Sequence, residues 1–131
     1  MEESKKIVET FFKEVRSGKN LQLAHDFMHE NVIAHQVQSE NEYVITRSPN
    51  DYIEHVKEMQ DLYGQFELEI QEILADGRKV YIRWKQTGRT PGNKIIIQIA
   101  SAVYLVERGK IAEYWIQIDR KGIENQSEQP D

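Results

Sequence analysis

The second half of the chain alternates strand-like runs with turn residues, and this pattern constrains the fold more than any other feature. Asp76-Gly77, the segment TPGN at 90–93 and Arg108-Gly109 separate four runs in which apolar and polar residues often alternate. Alternation with a period of two is typical of strands, and Asp-Gly between two such runs is a strong hairpin signal. We therefore predict four successive strands between Phe66 and Asp119, forming an antiparallel meander.

Two helices are predicted at the start of the chain. In the first, Ser4 can serve as cap, Gly18 suits a left-handed position after the end, and apolar residues recur at helical spacing: Ile7, Val8, Phe11, Phe12 and Val15. A brief second helix should follow from the capping residue Asn20 to near Asn31.

The third helix has the clearest local signal in the chain. Ser48 is a suitable N-cap, Pro49 suits the first helical position, and Asp51 completes a capping box. Before it, residues 32–39 read as a short strand, and residues 40–47 as a loop or edge strand. The order α-α-β-α-β-β-β-β predicts an α+β fold with three helices covering one face of a curved antiparallel sheet.

Length and composition narrow the class of protein. With 131 residues the chain fits one domain, assigned to residues 1–122, followed by a polar, flexible tail at 123–131. A net charge of -5 with interleaved charges disfavours nucleic acid as a partner, and the absence of cysteine removes disulfides and thiolate chemistry. No signal peptide or membrane span is apparent, so we expect a soluble, cytoplasmic protein. His25 and His29 have helical metal-pair spacing but no nearby third ligand, and no Gly-rich phosphate loop is present, so we expect neither metal nor cofactor.

The strand at 94–107 is apolar on both faces, which points to a partner. Ile95, Ile97 and Ile99 share one face, and Ile96 and Ala100 share the other with Gln98. A sheet face that is not polar needs a covering layer, so we predict a homodimer through the sheet. The alternative is that the chain's own tail covers this face.

Two strands each carry a tryptophan beside polar residues. Trp84 and Gln86 share a face of one strand, and Trp115, Gln117 and Asp119 share a face of the last. If both faces lie under the helices, they form a pocket with aromatic walls and a few polar groups, the usual make-up of a small-molecule site. Alternation alone does not decide which face lies under the helices.

Asp119 and His35 are the candidate catalytic residues. A partly desolvated carboxylate at the end of such a row would have a raised pKa, suited to a general acid or base. A neutral histidine nearby could shuttle a proton or orient a carbonyl. The alternatives are a strand-end aspartate in water or bonded to adjacent backbone, and a histidine satisfied in the core or at its rim.

The element order and several segments resemble the SnoaL-like polyketide cyclase branch of the nuclear-transport-factor-like superfamily. These segments are VETFFKEVRSGKN, VIAHQVQS, YIEHVKEM, VYIRWKQTG and GKIAEYWIQID. The resemblance implies a cone-shaped α+β barrel, commonly dimeric through its sheet, with an apolar cavity. In these cyclases an aspartate near the end of the last strand is the acid/base of an aldol ring closure without metal or cofactor; Asp119 and His35 match the expected places.

Two functional hypotheses follow, and the sequence leaves open whether the chain is an enzyme. In the first, Asp119 moves a proton α to a carbonyl, His35 or Gln117 hydrogen-bonds the enolate, and Trp84 and Trp115 hold an apolar or aromatic substrate. In the second, the same pocket serves a noncatalytic ligand-binding or dimerisation module. How residues 40–50 close the mouth would set the pocket's volume.

Overall fold

A six-stranded sheet with helices on its inner face organises the protein, for which the computed structural model describes residues 2–128. The strands are β1 (Met28–Gln36), β2 (Tyr43–Arg47), β3 (Glu67–Asp76), β4 (Lys79–Arg89), β5 (Ile95–Glu107) and β6 (Lys110–Ile118). Their order across the sheet is β2-β1-β6-β5-β4-β3, and β2 and β3 are its open edges. The predicted α+β class is confirmed, and the segment before the third helix is an edge strand.

The sheet is mixed, which corrects the prediction of a wholly antiparallel sheet. β1 pairs with β6 in parallel, while all other neighbouring strands among the described residues are antiparallel. The parallel pair arises because α3 and the meander intervene between β1 and β6, so the two strands do not meet through a hairpin. The meander itself is confirmed: Arg108 and Gly109 both have positive φ, at 50° and 77°, as a tight hairpin turn requires.

The helical segments are α1 (Glu2–Phe11), which continues as a π-helical turn (Phe12–Arg16), a 3-10 turn (Leu21–Leu23), α2 (Ala24–Phe27), α3 (Pro49–Tyr63) and α4 (Arg120–Glu128). α1 starts ahead of Ser4, which is a buried helical residue and not a cap. Gly18 has φ +84°, as predicted for the position after the helix. α2 ends before the predicted Asn31 because Met28 already begins β1 and is buried against the core.

α3 begins with the predicted capping box. Ser48 Oγ accepts a hydrogen bond from the Asp51 backbone N–H at 3.0 Å, and Asp51 Oδ2 accepts one from the Ser48 N–H at 2.9 Å. Pro49 follows the cap directly. The far end of α3 lies against β4, where a Cβ added at Gly88 would be 2.6 Å from Tyr63 Cβ. This helix is therefore fixed to the sheet at a close approach that requires glycine.

Residues 120–128 form α4, which corrects the predicted flexible tail as far as Glu128; residues 129–131 lie outside the described chain. β6 ends opposite Ala100, so the earlier part of β5 lacks a strand neighbour on that side. The Gln126 side chain fills this role: its Oε1 accepts from the Ile97 N–H at 2.8 Å and its Nε2 donates to the Ile97 carbonyl at 2.7 Å. The Gln126 amide thus makes the two hydrogen bonds that a neighbouring strand would make, and it satisfies backbone groups of β5 that have no strand partner on this side.

Helices and the inner sheet face enclose one core. Aromatic rings dominate its centre, with Phe12 edge-on to Trp84 at 4.7 Å between centroids and Phe11 packed on Tyr52 at 5.1 Å. Among residues 2–128, no helix has both the length and the apolar character needed to span a bilayer. The cytoplasmic location stays a prediction.

Candidate functional site

Strand register decides which side chains of β6 face the helices. Tyr114, Ile116 and Ile118 lie opposite Tyr104, Ala102 and Ala100 of β5, a row that is buried on the inner face. Because side chains alternate along a strand, the intervening residues of β6 project from the outer face. The apolar side of the segment EYWIQID therefore faces the helices, and its polar side does not.

This register separates the two predicted tryptophans. Trp84 is fully buried and pairs with Ala100, so it lies on the inner face with Gln86. Trp115 pairs with Val103 on the outer face, and Gln117 is exposed there. The condition for a pocket lined by both tryptophan rows is therefore not met, since the apolar row of β6 packs on the core in preference to the polar one.

Asp119 lies outside the space under the helices. It is exposed, follows the end of β6, and its Oδ1 accepts a hydrogen bond from the Gly122 N–H at 3.0 Å in the first turn of α4. This is the backbone-bonded alternative that the sequence had left open. The catalytic role of Asp119 itself stays a prediction.

His35 also belongs to the outer face, where it makes a compact cluster. Its Nε2 lies 2.6 Å from Glu113 Oε2, to which it donates a hydrogen bond, and its ring stacks on Trp115 at 4.9 Å and 7°. Lys79 Nζ lies 5.5 Å from the centre of the same tryptophan ring. The structure thus brings His35 and Trp115 together, but the hydrogen-bond partner of His35 is Glu113 and not Asp119.

A cavity of about 250 Å³ lies on the inner face, between α3, β5, β6 and α4. Its lining combines apolar side chains, aromatic side chains and a few polar groups: Arg16, Gln36, Tyr52, His55, Met59, Tyr63, Gln98, Tyr104, Tyr114, Ile116, Ile118, Arg120 and Ile123. None of these described lining residues is an aspartate or glutamate. A carboxylate general base therefore does not line this space.

Arg16 is the most buried charged group of the lining, with 2% exposure. It comes from the π-helical turn, and its Nη1 donates a 2.8 Å hydrogen bond to Gln86 Oε1. Its guanidinium carbon lies 5.5 Å from the centre of the Trp84 ring and 6.0 Å from that of Phe66. Trp84 and Gln86 do not line the cavity; they contact the Arg16 guanidinium and fix its orientation. Their substrate-binding role stays a prediction.

His55 faces the cavity from α3 as a neutral imidazole. Burial lowers its pKa to about 4, and the positive charges of Arg47 and Arg16 act in the same direction. Its ring lies 6.0 Å from that of Tyr52, one turn earlier on the helix. At neutral pH this ring is uncharged, so one of its nitrogens can accept a hydrogen bond while the other donates one.

Three tyrosines surround the same space. Burial is the main cause that raises the pKa of Tyr52, Tyr104 and Tyr114 above the usual value. Tyr104 and Tyr114 stack at 4.9 Å, and Tyr114 meets Tyr52 edge-on at 6.5 Å. Their hydroxyls therefore stay protonated at neutral pH and are potential hydrogen-bond donors.

Sequence reasoning missed most of this lining, although signals for part of it were present. His55 lies at helical spacing from Tyr52 and Met59, and Arg16 lies four residues after Phe12. Those spacings place both side chains on the buried stripes of their helices. A polar residue on an otherwise apolar, buried stripe is the signal that could have pointed to this cavity.

Other proteins share this fold. The family model described as SnoaL-like polyketide cyclase matches residues 6–127. A candidate polyketide cyclase from Acidithiobacillus ferrooxidans superposes with a TM-score of 0.79 at 23% identity, covering 95% of this chain and 93% of that one. No match is found among curated proteins.

Two further structures show how broadly the fold is used. A candidate SnoaL-like polyketide cyclase from Jannaschia sp. CCS1 gives a TM-score of 0.83 at 11% identity, with 98% and 94% of the two chains covered. An LEH-like epoxide hydrolase from M. tuberculosis gives 0.72 at 18% identity, with 95% and 88% covered. At these identities the likeness establishes the fold, and function must be argued from the site.

Proposed function

The chain belongs to the SnoaL-like polyketide cyclase family, and from this premise we propose that its inner cavity binds a small apolar or aromatic molecule. One observation carries the proposal: the cavity of about 250 Å³ has apolar walls and a small number of converging polar side chains. That combination is typical of small-molecule sites, in which the walls supply affinity and the polar groups orient the ligand.

Gln98 supplies one orienting group. It is 6% exposed, lines the cavity from β5, and its side-chain amide has no hydrogen-bond partner within residues 2–128. A buried amide without a partner is costly, and a ligand carbonyl or hydroxyl would remove that cost. Met59, Ile116 and Ile118 offer the apolar surface against which an aromatic ring can pack.

A pair of neighbouring substitutions on β6 tests this function. Ile116→Trp adds bulk to the cavity, whereas Gln117→Trp adds the same bulk to the outer face. With 2-acetylnaphthalene as a neutral aromatic probe, calorimetry should show binding to the wild type and to Gln117→Trp, and at least tenfold weaker binding to Ile116→Trp. Equal binding by both variants would exclude the inner cavity as the site.

A second candidate function is cofactor-independent acid/base chemistry α to a carbonyl, as aldol ring closure or isomerisation. Neutral His55 beside protonated tyrosines supports it, because enolisation needs a base and donors that stabilise the developing oxyanion. The family resemblance instead assigns the proton transfer to Asp119, with His35 in a supporting role.

The variants His55→Gln, Asp119→Asn and His35→Gln separate these assignments once a compound that turns over has been found. If the cavity histidine is the base, turnover should fall by about 10² or more in His55→Gln and stay near wild type in the other two. The reverse pattern would restore Asp119 as the catalytic group. Binding without product in any of these proteins would favour the noncatalytic module.

We also propose that the protein is a homodimer through the outer sheet face. Ile95 and Ile97 are 51% and 36% exposed although Gln126 of α4 bonds to this edge, so the chain's own terminal helix leaves the apolar row partly uncovered. Val103, near the centre of the same row, pairs with Trp115. Sedimentation should give a dimer that Val103→Asp dissociates; a monomeric wild type would refute the proposal.

A further inference from the structure

We propose that the molecule bound in the cavity carries an acidic oxygen group, ionised at neutral pH, that pairs with the buried guanidinium of Arg16. The inference rests on the proposed binding function and narrows it from apolar or aromatic molecules in general to aromatic acids and enolates. The inference follows from the positive charge of the cavity and from the N–H donors of Arg16 that are available to a ligand.

Arg16 is a buried cation without an anion. It makes one side-chain hydrogen bond, to Gln86 Oε1, and no carboxylate within residues 2–128 forms an ion pair with it. A guanidinium has five N–H donors, and Gln86 Oε1 accepts from one of them, so the group has further donors to offer a ligand. The rings of Trp84 and Phe66 compensate the charge only in part. Burying an unpaired charge is costly, and an anionic ligand group would remove that cost.

The surroundings of Arg16 reinforce its positive charge. Arg47, on β2, has a buried Nε with no hydrogen-bond partner among residues 2–128, and its charge acts on Tyr52, Tyr114 and His55. Arg120 lines the cavity from α4 and pairs with Glu40, an exposed residue of the β1–β2 connection. The whole chain carries a net charge of -5, yet the charged residues among the described lining are arginines alone. The site is thus electropositive within an acidic protein.

The neutral groups of the lining also suit an anion. The buried tyrosines stay protonated, so they do not repel an oxyanion and their hydroxyls are potential donors to it; the Tyr52 and Tyr104 side chains also share a hydrogen bond with each other. His55 is uncharged at neutral pH and adds no competing negative group. The apolar residues of β6 and α3 supply the remaining wall for a ring system. A flat aromatic acid satisfies both parts of this lining.

Two isosteric probes test the inference. 2-Naphthoate and 2-naphthamide have the same ring and nearly the same shape, but only the first is charged at pH 7.5. The wild type should bind 2-naphthoate roughly ten- to a hundredfold more tightly than the amide, the range expected when a hydrogen bond to a charged group is gained. Calorimetry at fixed ionic strength gives both constants.

Substitutions at Arg16 identify the group responsible. Arg16→Met should remove the preference for 2-naphthoate and leave the dissociation constant of 2-naphthamide near the wild-type value. Arg16→Lys keeps the positive charge, so it should keep part of the preference. Arg83→Met removes an exposed arginine from the outer side of β4 and should change neither constant. A circular dichroism spectrum and an unfolding curve for each variant exclude misfolding as the cause.

The outcomes separate this inference from the function on which it rests. Equal affinity of the wild type for both probes, or an acid preference that survives Arg16→Met, overturns the acidic ligand but leaves cavity binding intact. Binding of neither probe to the wild type overturns both. A preference lost in Arg16→Met and kept in Arg83→Met supports the inference.

Discussion

Lowering the pH from 7 to 5 should destabilise the protein by up to about 2 kcal/mol through His55 alone. The pKa of this histidine is about 4 in the folded protein, against 6.5 as its ordinary value. Folding therefore excludes a proton that the unfolded chain binds. Stability is full above the unfolded pKa and is lost as the pH falls from about 6.5 towards 4, the sign opposite to that of a histidine with an acidic partner.

The magnitude follows from proton linkage at one site. At pH 5 the unfolded histidine is almost wholly protonated and the folded one about a tenth protonated, so the unfolded state gains a factor of about 30, or about 2 kcal/mol. At pH 7 the same factor is close to one. Because His55 keeps some contact with solvent, screening makes 2 kcal/mol the upper end of the effect.

Urea unfolding at the two pH values measures this contribution. Other groups also titrate, so the informative quantity is the difference between the wild type and His55→Gln, with His25→Gln as control because His25 is exposed on α2. His55→Gln should lose less stability between pH 7 and 5, with a midpoint shift smaller by roughly 1 M urea. His25→Gln should behave as the wild type does.

One result would refute the reasoning. If His55→Gln loses as much stability as the wild type on acidification, His55 is not buried as a neutral base. A ring titration followed by nuclear magnetic resonance gives the same test directly, since a midpoint near 6.5 would mean that solvent reaches the imidazole in the folded state.

Three further substitutions test the packing that positions the site. Gly88→Ala should cost about 1–3 kcal/mol of unfolding free energy because its Cβ would overlap α3, whereas Gly92→Ala, whose Cβ would meet only Thr90 Oγ1 at an ordinary contact distance of 3.8 Å, should cost little; equal losses in the two would contradict the close approach. Gln126→Ala should destabilise by about 1 kcal/mol and speed hydrogen exchange at the Ile97 amide, whose unchanged protection would show that α4 does not pair this edge. Ser48→Ala should cost about 1 kcal/mol in urea unfolding, and a loss near zero would mean that the capping box contributes nothing.

The secondary structure was predictable where local chemistry decides it. Ser48, Pro49 and Asp51 form a helix start through contacts three residues apart, and the glycine turns reverse the chain through their own φ angles. The family resemblance added the order of the elements. What local signals did not reveal was α4, because Gln126 finds its partners at Ile97, almost thirty residues away in the chain.

The candidate site was less predictable because it depends on which face of a strand turns inward. Alternation placed Trp115 and Gln117 on one face and Tyr114 and Ile116 on the other, but both assignments of inside and outside fit the pattern. The face with more apolar area packs against the helices, since burying it gives the larger gain in free energy. The apolar row therefore lines the cavity, and the polar row lies outside.

The sequence by itself determined the α+β class, the capped third helix, the hairpins and the placement of Trp84 and Gln86 on one face of their strand, because these follow from short-range spacing. Only the tertiary structure decided that Arg16, His55 and the tyrosines share one cavity. These residues come from separate elements, and their juxtaposition exists only when the sheet and helices pack together. Burial in that shared space, which no single segment encodes, is also what changes the pKa values of His55 and the tyrosines, and it places Arg16 where no carboxylate of residues 2–128 pairs with it.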